Sequence, residues 1–344
     1  MDKIAWITDS TSGIEPEVAK KYNIHVVPLH IIFQGKSYKD GIDLSEKEFY
    51  EKLKREKELP KTSQPAIGEF IDFYEQLKKE YDRGIVIHVA DELSGTLRTS
   101  RMAAEMAEFP VEIIDSRLVV YPMVYLLLDG IQMHQNGTSY EEIVSELKRL
   151  TGNMRAYFMV NDLSQLQRGG RMSSTQALLG NLLQIKPILR LNNGKVELYE
   201  KVRTYTKAKK RIFEIFAEDV KDAKEVRVCI PQGSAREEAV KWKEELEQMF
   251  PYLDFHISQL GAVVGTHVEK GRLLSPGIAN KNALCTFTRI LANTAYPIFG
   301  IIIRSEIAQT AVQIGIDLSS ITSYANVRQS LEVIQKQKEL SPLA

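Results

Sequence analysis

Cysteine is scarce in this chain: Cys229 and Cys285 are two among 344 residues. Two isolated thiols supply neither a disulfide framework nor a four-ligand zinc site, so a reducing compartment is expected. A surplus of one charge is missing too, with 45 basic and 45 acidic side chains. That balance argues against a sequence-independent grip on nucleic acid. Long apolar runs are absent: VVYPMVYLLL (119–128) and YPIFGIII (296–303) are too short to span a bilayer, so no stable membrane insertion is expected. The start, MDKIAWITDS, has no apolar h-region, so no signal peptide is expected and the chain reads as cytoplasmic. There is no GxGxxG after a strand, no GxxxxGK[ST], no GxSxG and no HExxH, so cofactor, phosphate-loop, hydrolase and zincin signatures are all lacking.

What is present is a set of short polar motifs inside apolar patterns. They are TDSTSGI (8–14), KTSQPAIGEF (61–70), LSGTLRTS (93–100), QRGGRMS (167–173) and VVGTHVEKG (263–271). They are rich in hydroxyls and glycines and carry arginines and one histidine. Such an inventory suits holding a small anion such as a carboxylate better than cutting or transferring a group.

The first part of the chain alternates strand and helix signals: KIAWIT (3–8), HVVPLHIIF (25–33), GIVIHVA (84–90) and VEIIDS (111–116) as strands, with amphipathic segments between them. Pro28 argues for a break or an edge in the second of these. Ser45 with Glu48 forms a capping box for a helix over 45–58. The stretch 121–137 reads as a largely buried helix. Strands alternating with helices predict a mostly parallel sheet. After a linking helix at 139–153 come a strand at 154–160, a helix around 175–183 and a hairpin over 186–202 turned at Asn193-Gly194. The expected fold is therefore two α/β domains, residues 1–150 with a mostly parallel sheet and 151–274 with a mixed one, followed by a tail at 275–344 of unknown role.

Each motif has two readings. Ser94, Gly95 and Thr96 follow a buried strand and open a helix, where open α/β sheets take ligands and free amides attract an anion. The plainer reading is an N-cap. Thr62 and Ser63 precede another helix and read either as a cap or as donors to the same crevice. Asp9, Ser10 and Thr11 read as a floor shaped by side-chain-to-backbone bonds. The two glycines of QRGGRMS suggest a tight turn that holds Arg168 and Arg171. His267 reads as ending a strand. Ser94 as a nucleophile for ester or thioester hydrolysis is a further reading, without an evident base, and a non-lipid interaction module is another.

In this order and spacing the motifs resemble the DegV family of bacterial fatty-acid-binding proteins. TDSTSGI, KTSQPAIGEF, LSGTLRTS, IDS (114–116), LSQLQRGGRMS, LLQIKPIL (182–189), GKVELYEKVRT (194–204) and GAVVGTH (261–267) carry the resemblance, over roughly residues 3–271. It implies two α/β domains with one long-chain fatty acid between them and no other cofactor. It implies a carrier without catalysis of its own, the binding subunit of a fatty acid kinase, whose separate catalytic subunit phosphorylates the acyl carboxylate for phospholipid synthesis. It implies that Thr62, Ser94 and His267 hold the carboxylate, with Arg171 close by and Gly95 and Thr96 beside Ser94. The apolar helices at 67–81, 96–109 and 121–137 are expected to line the acyl tunnel. Arg168, Arg171, Lys201 and Arg203 are a candidate basic patch to dock an acidic kinase surface or to steady the transferred phosphoryl group.

The resemblance breaks off at VEKGRLLSPG, and the remaining 70 residues hold 10 charged side chains, half the density of the first 274. The break points to a tail outside the fold. The alternative is that LCTFTRI (284–290) or IFGIIIR (298–304) supplies a closing strand to the second sheet.

Overall fold

KIAWIT is apolar at successive positions because its strand is buried on both faces. The computed structural model describes residues 2–55, 58–160, 163–172, 186–221, 226–233, 235–268 and 287–291. In β1 (Ile4–Asp9) side chains alternate between two cores, as the two-residue strand period requires. Ile4 and Trp6 join Ile24, Ile85 and Ile87, while Ala5 and Ile7 join Val27, Phe70 and Val86. With β2 (Ile24–Val27), β6 (Arg83–His88) and β7 (Val111–Asp115) it forms a parallel sheet in the order β2-β1-β6-β7. Helices α3 (Ile67–Leu77) and α4 (Thr96–Met106) cover one face through Phe70, Tyr74 and Ala103. Helices α5 (Pro122–Gln135) and α6 (Tyr140–Thr151) cover the other through Leu126 and Leu147. Each fully buried Ile or Leu contributes roughly 1.5–3 kcal/mol.

Pro28 does break the second apolar run. The chain leaves the parallel sheet after Val27 and starts a separate three-stranded antiparallel sheet, β4-β3-β5, from β3 (His30–Phe33), β4 (Lys36–Lys39) and β5 (Lys61–Ser63). Sequence patterning did not reveal this sheet, since its strands are only three or four residues long. Helix α2 (Glu46–Arg55) packs on it, started by the expected capping box: Glu48 accepts from the Ser45 amide at 2.9 Å.

The second sheet has six strands in the order β10-β9-β8-β13-β11-β12: β8 (Arg155–Met159), β9 (Lys186–Asn192), β10 (Lys195–Val202), β11 (Val226–Gln232), β12 (Asp254–Gln259) and β13 (Phe287–Leu291). Only the β11–β12 pair is parallel. The β9–β10 hairpin turns at Asn193 (φ 47°) and Gly194 (φ 82°), the two left-handed residues that its Asn-Gly sequence calls for. Between β8 and the hairpin lies the short α7 (Ser164–Arg168). The helix expected around 175–183 lies outside the described residues.

Helices α8 (Tyr205–Val220) and α9 (Arg236–Met249) cover one face of this sheet through Phe216, Trp242 and Leu246. Its other face shares a core with α5: Phe158, Leu189 and Cys229 join Met123 and Leu126. The Tyr125 hydroxyl donates to the Val228 carbonyl at 3.3 Å. Helix α5 is thus packed between the two large sheets, which explains why it is apolar on nearly every side. Because this core is continuous, residues 1–292 form one compact unit across the expected boundary near 150.

The expectation of a tail wholly outside the fold does not hold for residues 287–291. They pair antiparallel with β8 (Thr288 opposite Ala156) and with β11 (Thr288 opposite Cys229), in the interior of the sheet. Two strands that would each present an open edge gain a shared partner. The stretches 296–303 and 330–340 lie outside the described residues.

Candidate functional site

The site forms where the three-stranded sheet, the parallel sheet and the six-stranded sheet approach one another. Its first pair is Thr62 and His267. Thr62 sits on β5, opposite Ile31 of β3. His267 does not end a strand, as its apolar flank suggested; it lies in helix α10 (Ala262–Val268). That helix rests on the small sheet and α2, with Ala262 and Val263 buried beside Phe49 and Leu53. Gly265 allows the approach, since a Cβ there would stand 2.9 Å from the Tyr50 hydroxyl and 3.1 Å from Phe49. The seating places His267 Nε2 in a hydrogen bond with Thr62 Oγ1 at 2.8 Å. Burial, with the Arg171 charge nearby, pushes the imidazole down to about 4, so His267 is neutral at pH 7.

Ser94 stands at the turn between β6 and α4, with its amide donating to the Ala90 carbonyl at 3.2 Å. Its hydroxyl bonds Thr96 Oγ1 at 2.8 Å and accepts from the Thr96 amide at 3.3 Å. Arg171 follows α7 on a turn in which Gly170 has φ 73°, the left-handed geometry expected of QRGGRMS. Its Nε donates to the Leu93 carbonyl at 3.0 Å and its Nη1 to the Gly169 carbonyl. Among the described residues no carboxylate pairs with it, and burial presses its pKa below the ordinary value. A guanidinium tied by backbone carbonyls, with no described carboxylate paired to it, is prepared for an anion.

Thr62, Ser94, Arg171 and His267 line one cavity of about 810 Å³, its open mouth included. Gly95 and Thr96 are not among its lining residues. Thr96 is fully buried beneath Ser94, and a Cβ at Gly95 would meet the Gln64 side chain at 3.0 Å. The rest of the lining is largely apolar: Leu29, Val89 and Leu93, then Phe158, Leu191 and Val196 from the second sheet, and Val263 from α10. None of it comes from α3, α4 or α5, the helices expected to form the tunnel. Their apolar surfaces are already spent against the sheets, so strand ends and connections supply the wall. Val119 and Val120 also line it, and Val120 holds φ 68°, an unusual conformation for a β-branched residue that costs of order 1–3 kcal/mol. Its amide donates to the Thr11 carbonyl at 3.1 Å. Nothing in the sequence signals this position.

Below the cavity lies a sealed polar chain. Asp9 accepts from the Thr11 hydroxyl and, at 3.0 Å, the Thr11 amide; from the Val89 amide at 2.9 Å; and it bonds His88 Nδ1 at 2.9 Å. His88 Nε2 in turn bonds Ser100 Oγ at 2.9 Å, and Ser100 bonds the Tyr74 hydroxyl at 2.5 Å. The order Asp–His–Ser has the connectivity of a nucleophile triad, but all three side chains are fully buried and the Ser100 hydroxyl is occupied. The chain instead fixes the TDST turn, whose Thr11 lines the cavity. Ser94 itself is bonded to no imidazole among the described residues. Of the basic residues considered together, Arg168, Lys201 and Arg203 are exposed, while Arg171 faces inward.

Residues 3–274 match the model of the family described as "Uncharacterised protein, DegV family". The chain belongs to the DegV family. Protein DegV of Bacillus subtilis is 41% identical over 272 residues, 78% of this chain and 97% of that protein. Among solved structures, that of "DegV, a fatty acid binding protein from Bacillus subtilis" superposes with a TM-score of 0.76 at 39% identity, covering 84% of this chain and all of that one. A DegV family protein from Thermus thermophilus, described by its fatty acid binding, has a TM-score of 0.74 at 28% identity over 84% of this chain and all of that one. These DegV likenesses agree with the α/β fold of parallel and antiparallel sheets. No helix among the described residues of this DegV chain is long and apolar enough to cross a membrane.

Proposed function

We propose that this chain binds one long-chain fatty acid, with the carboxylate held by Thr62, Ser94, His267 and Arg171, and presents that carboxylate to a separate kinase subunit for acyl-phosphate formation. One observation carries the reading: an apolar cavity that gathers hydroxyls, a neutral imidazole and a guanidinium that no carboxylate among the described residues pairs. The described fatty acid binding of the Bacillus subtilis and Thermus thermophilus proteins supports the ligand class.

The chemistry is consistent with an acyl chain. A carboxylate is costly to bury unpaired, and Arg171 offsets its charge while the hydroxyls and imidazole hydrogen-bond its oxygens. A tail of ~16 carbons gains roughly 0.8 kcal/mol per buried CH₂, on the order of 10 kcal/mol before ordering costs. Among the described residues no imidazole or carboxylate bonds Ser94, which favours carriage over hydrolysis. In the kinase step an acyl oxygen attacks the transferred phosphoryl group, so one carboxylate oxygen must stay reachable from the mouth. The exposed Arg168, Lys201 and Arg203 are the basic groups available to meet an acidic kinase surface.

Native mass spectrometry of the protein purified from bacterial cells tests the reading. A retained mass equal to one fatty acid supports it. An acyl adduct on Ser94 would instead indicate an esterase, and the absence of any ligand, with no uptake of added fatty acid, would refute it.

A further inference from the structure

A second recess, about 870 Å³ with its open mouth included, lies where β8 and β9 meet the segment after β7. Its charged lining consists of Arg117, Arg155 and Arg190, with no Asp, Glu or Lys. On a chain with equal numbers of acidic and basic residues, that is a local surplus of positive charge. It shares Leu191 with the fatty-acid cavity and is otherwise separate from it.

Two of the three guanidiniums are held but not consumed. Arg190 gives Nε and Nη2 to Glu197 at 3.1 and 3.0 Å. Arg155 gives Nη1 to the carbonyls of Gly152 and Met154 at 3.0 and 2.8 Å. Each guanidinium has five N–H donors, so both keep donors to spare. Neither Arg155 nor Arg117 is ion-paired among the described residues. Arg117 also sits in the left-handed region, at φ 55°. Its amide donates to Asp115 Oδ1 at 2.8 Å, and the neighbouring Ser116 hydroxyl accepts from the Leu118 amide at 3.1 Å. A strained arginine kept in place by a dedicated turn, lining the same recess as Arg155, which also has no ion pair among the described residues, is an arrangement whose repulsion an anion relieves.

We propose that this recess binds a small molecule bearing a phosphate or pyrophosphate group. The Arg117 guanidinium and the spare donors of Arg155 and Arg190 together exceed what a single carboxylate needs and match the several oxygens of a phosphate. The concave, polar lining suits a small ligand rather than an acyl chain. This site is independent of the fatty-acid reading and stands or falls without it.

Calorimetric titration of the full chain with inorganic pyrophosphate at low ionic strength tests it. Saturable binding of one equivalent is expected, weakening as salt is raised. Arg117→Gln and Arg155→Gln are each expected to weaken it by about tenfold or more, and Arg101→Gln, on the exposed side of α4, to leave it unchanged. Arg117→Lys keeps the charge but not the fork, and is expected to weaken binding as well. Melting temperatures and circular dichroism show which variants are folded. The proposal is overturned if the wild-type chain shows no saturable binding, if the folded recess variants bind as it does, or if Arg101→Gln loses as much as they do.

Discussion

The Thr62 hydroxyl and the His267 imidazole lie 205 residues apart in the chain and meet at 2.8 Å. One comes from a three-residue strand, the other from a short helix seated on Phe49 and Tyr50. The contact closes one side of the cavity, so both residues are open to direct tests.

Thr62→Ala and Ser94→Ala are expected to weaken fatty acid binding while the fold is retained. Removing one hydrogen bond to a charged group costs roughly 1.5–3 kcal/mol, or about ten- to hundredfold in affinity. Calorimetry with a C16 acid measures the change. Unchanged affinity in both variants would remove these hydroxyls from the site.

His267 makes the ligand-free protein sensitive to acid. Its folded pKa, about 4, lies below the unfolded value of 6.5, so between these values the unfolded chain binds more protons. The stability from keeping it neutral is fully present above pH 6.5 and declines as pH falls toward 4. His267→Gln should flatten this part of the stability–pH curve, measured by denaturant melts at several pH values. An unaltered slope would mean that His267 is not held neutral.

Asp40 has the opposite sign. It is buried, its Oδ2 has no hydrogen-bond partner among the described residues, and burial pushes it up to about 6 despite bonds from Ser10 and the Ala262 and Val263 amides. A raised carboxyl pKa gives stability that is present below the unfolded value of 3.8 and lost as pH rises through 6. Asp40→Asn is therefore expected to raise the melting temperature at pH 7.5, with the gain vanishing near pH 4. A destabilised variant at pH 7.5 would show that the carboxylate's bonds to α10 outweigh its burial.

Truncation after Leu274 removes β13 and leaves β8 and β11 without their shared neighbour. We expect insolubility or a fall in melting temperature of about 10 °C or more, several kcal/mol for a chain of this size. Thermal melts of the shortened and full chains provide the comparison. Equal melting temperatures would mean that β13 contributes nothing to the sheet.

The elements most legible in the sequence are those whose pattern is local. The apolar β1 and β6, the Ser45 capping box and the Asn193-Gly194 turn follow from side-chain periodicity and backbone preference over a few residues. The small sheet was not legible, because three- or four-residue strands carry too little periodicity, and only the break at Pro28 pointed toward it. The assignment of His267 to a strand failed for a related reason. AVVGTHV is β-branched and short, yet it forms a helix because Ala262 and Val263 bury against α2 and the small sheet.

The sequence by itself determined the chemistry available here: hydroxyls after strands, an arginine on a glycine turn, a histidine, and no nucleophile or metal signature. Those are matters of residue type and order. Only the tertiary structure decided which of them meet. It joined Thr62 to His267, turned Arg171 inward, buried Thr96 under Ser94, and gave the cavity wall to strand ends and Val120 instead of α3, α4 and α5. The physical reason is that these helices bury their apolar surfaces against the sheets. Once the sheets have covered them, a ligand is left with the places where sheets end.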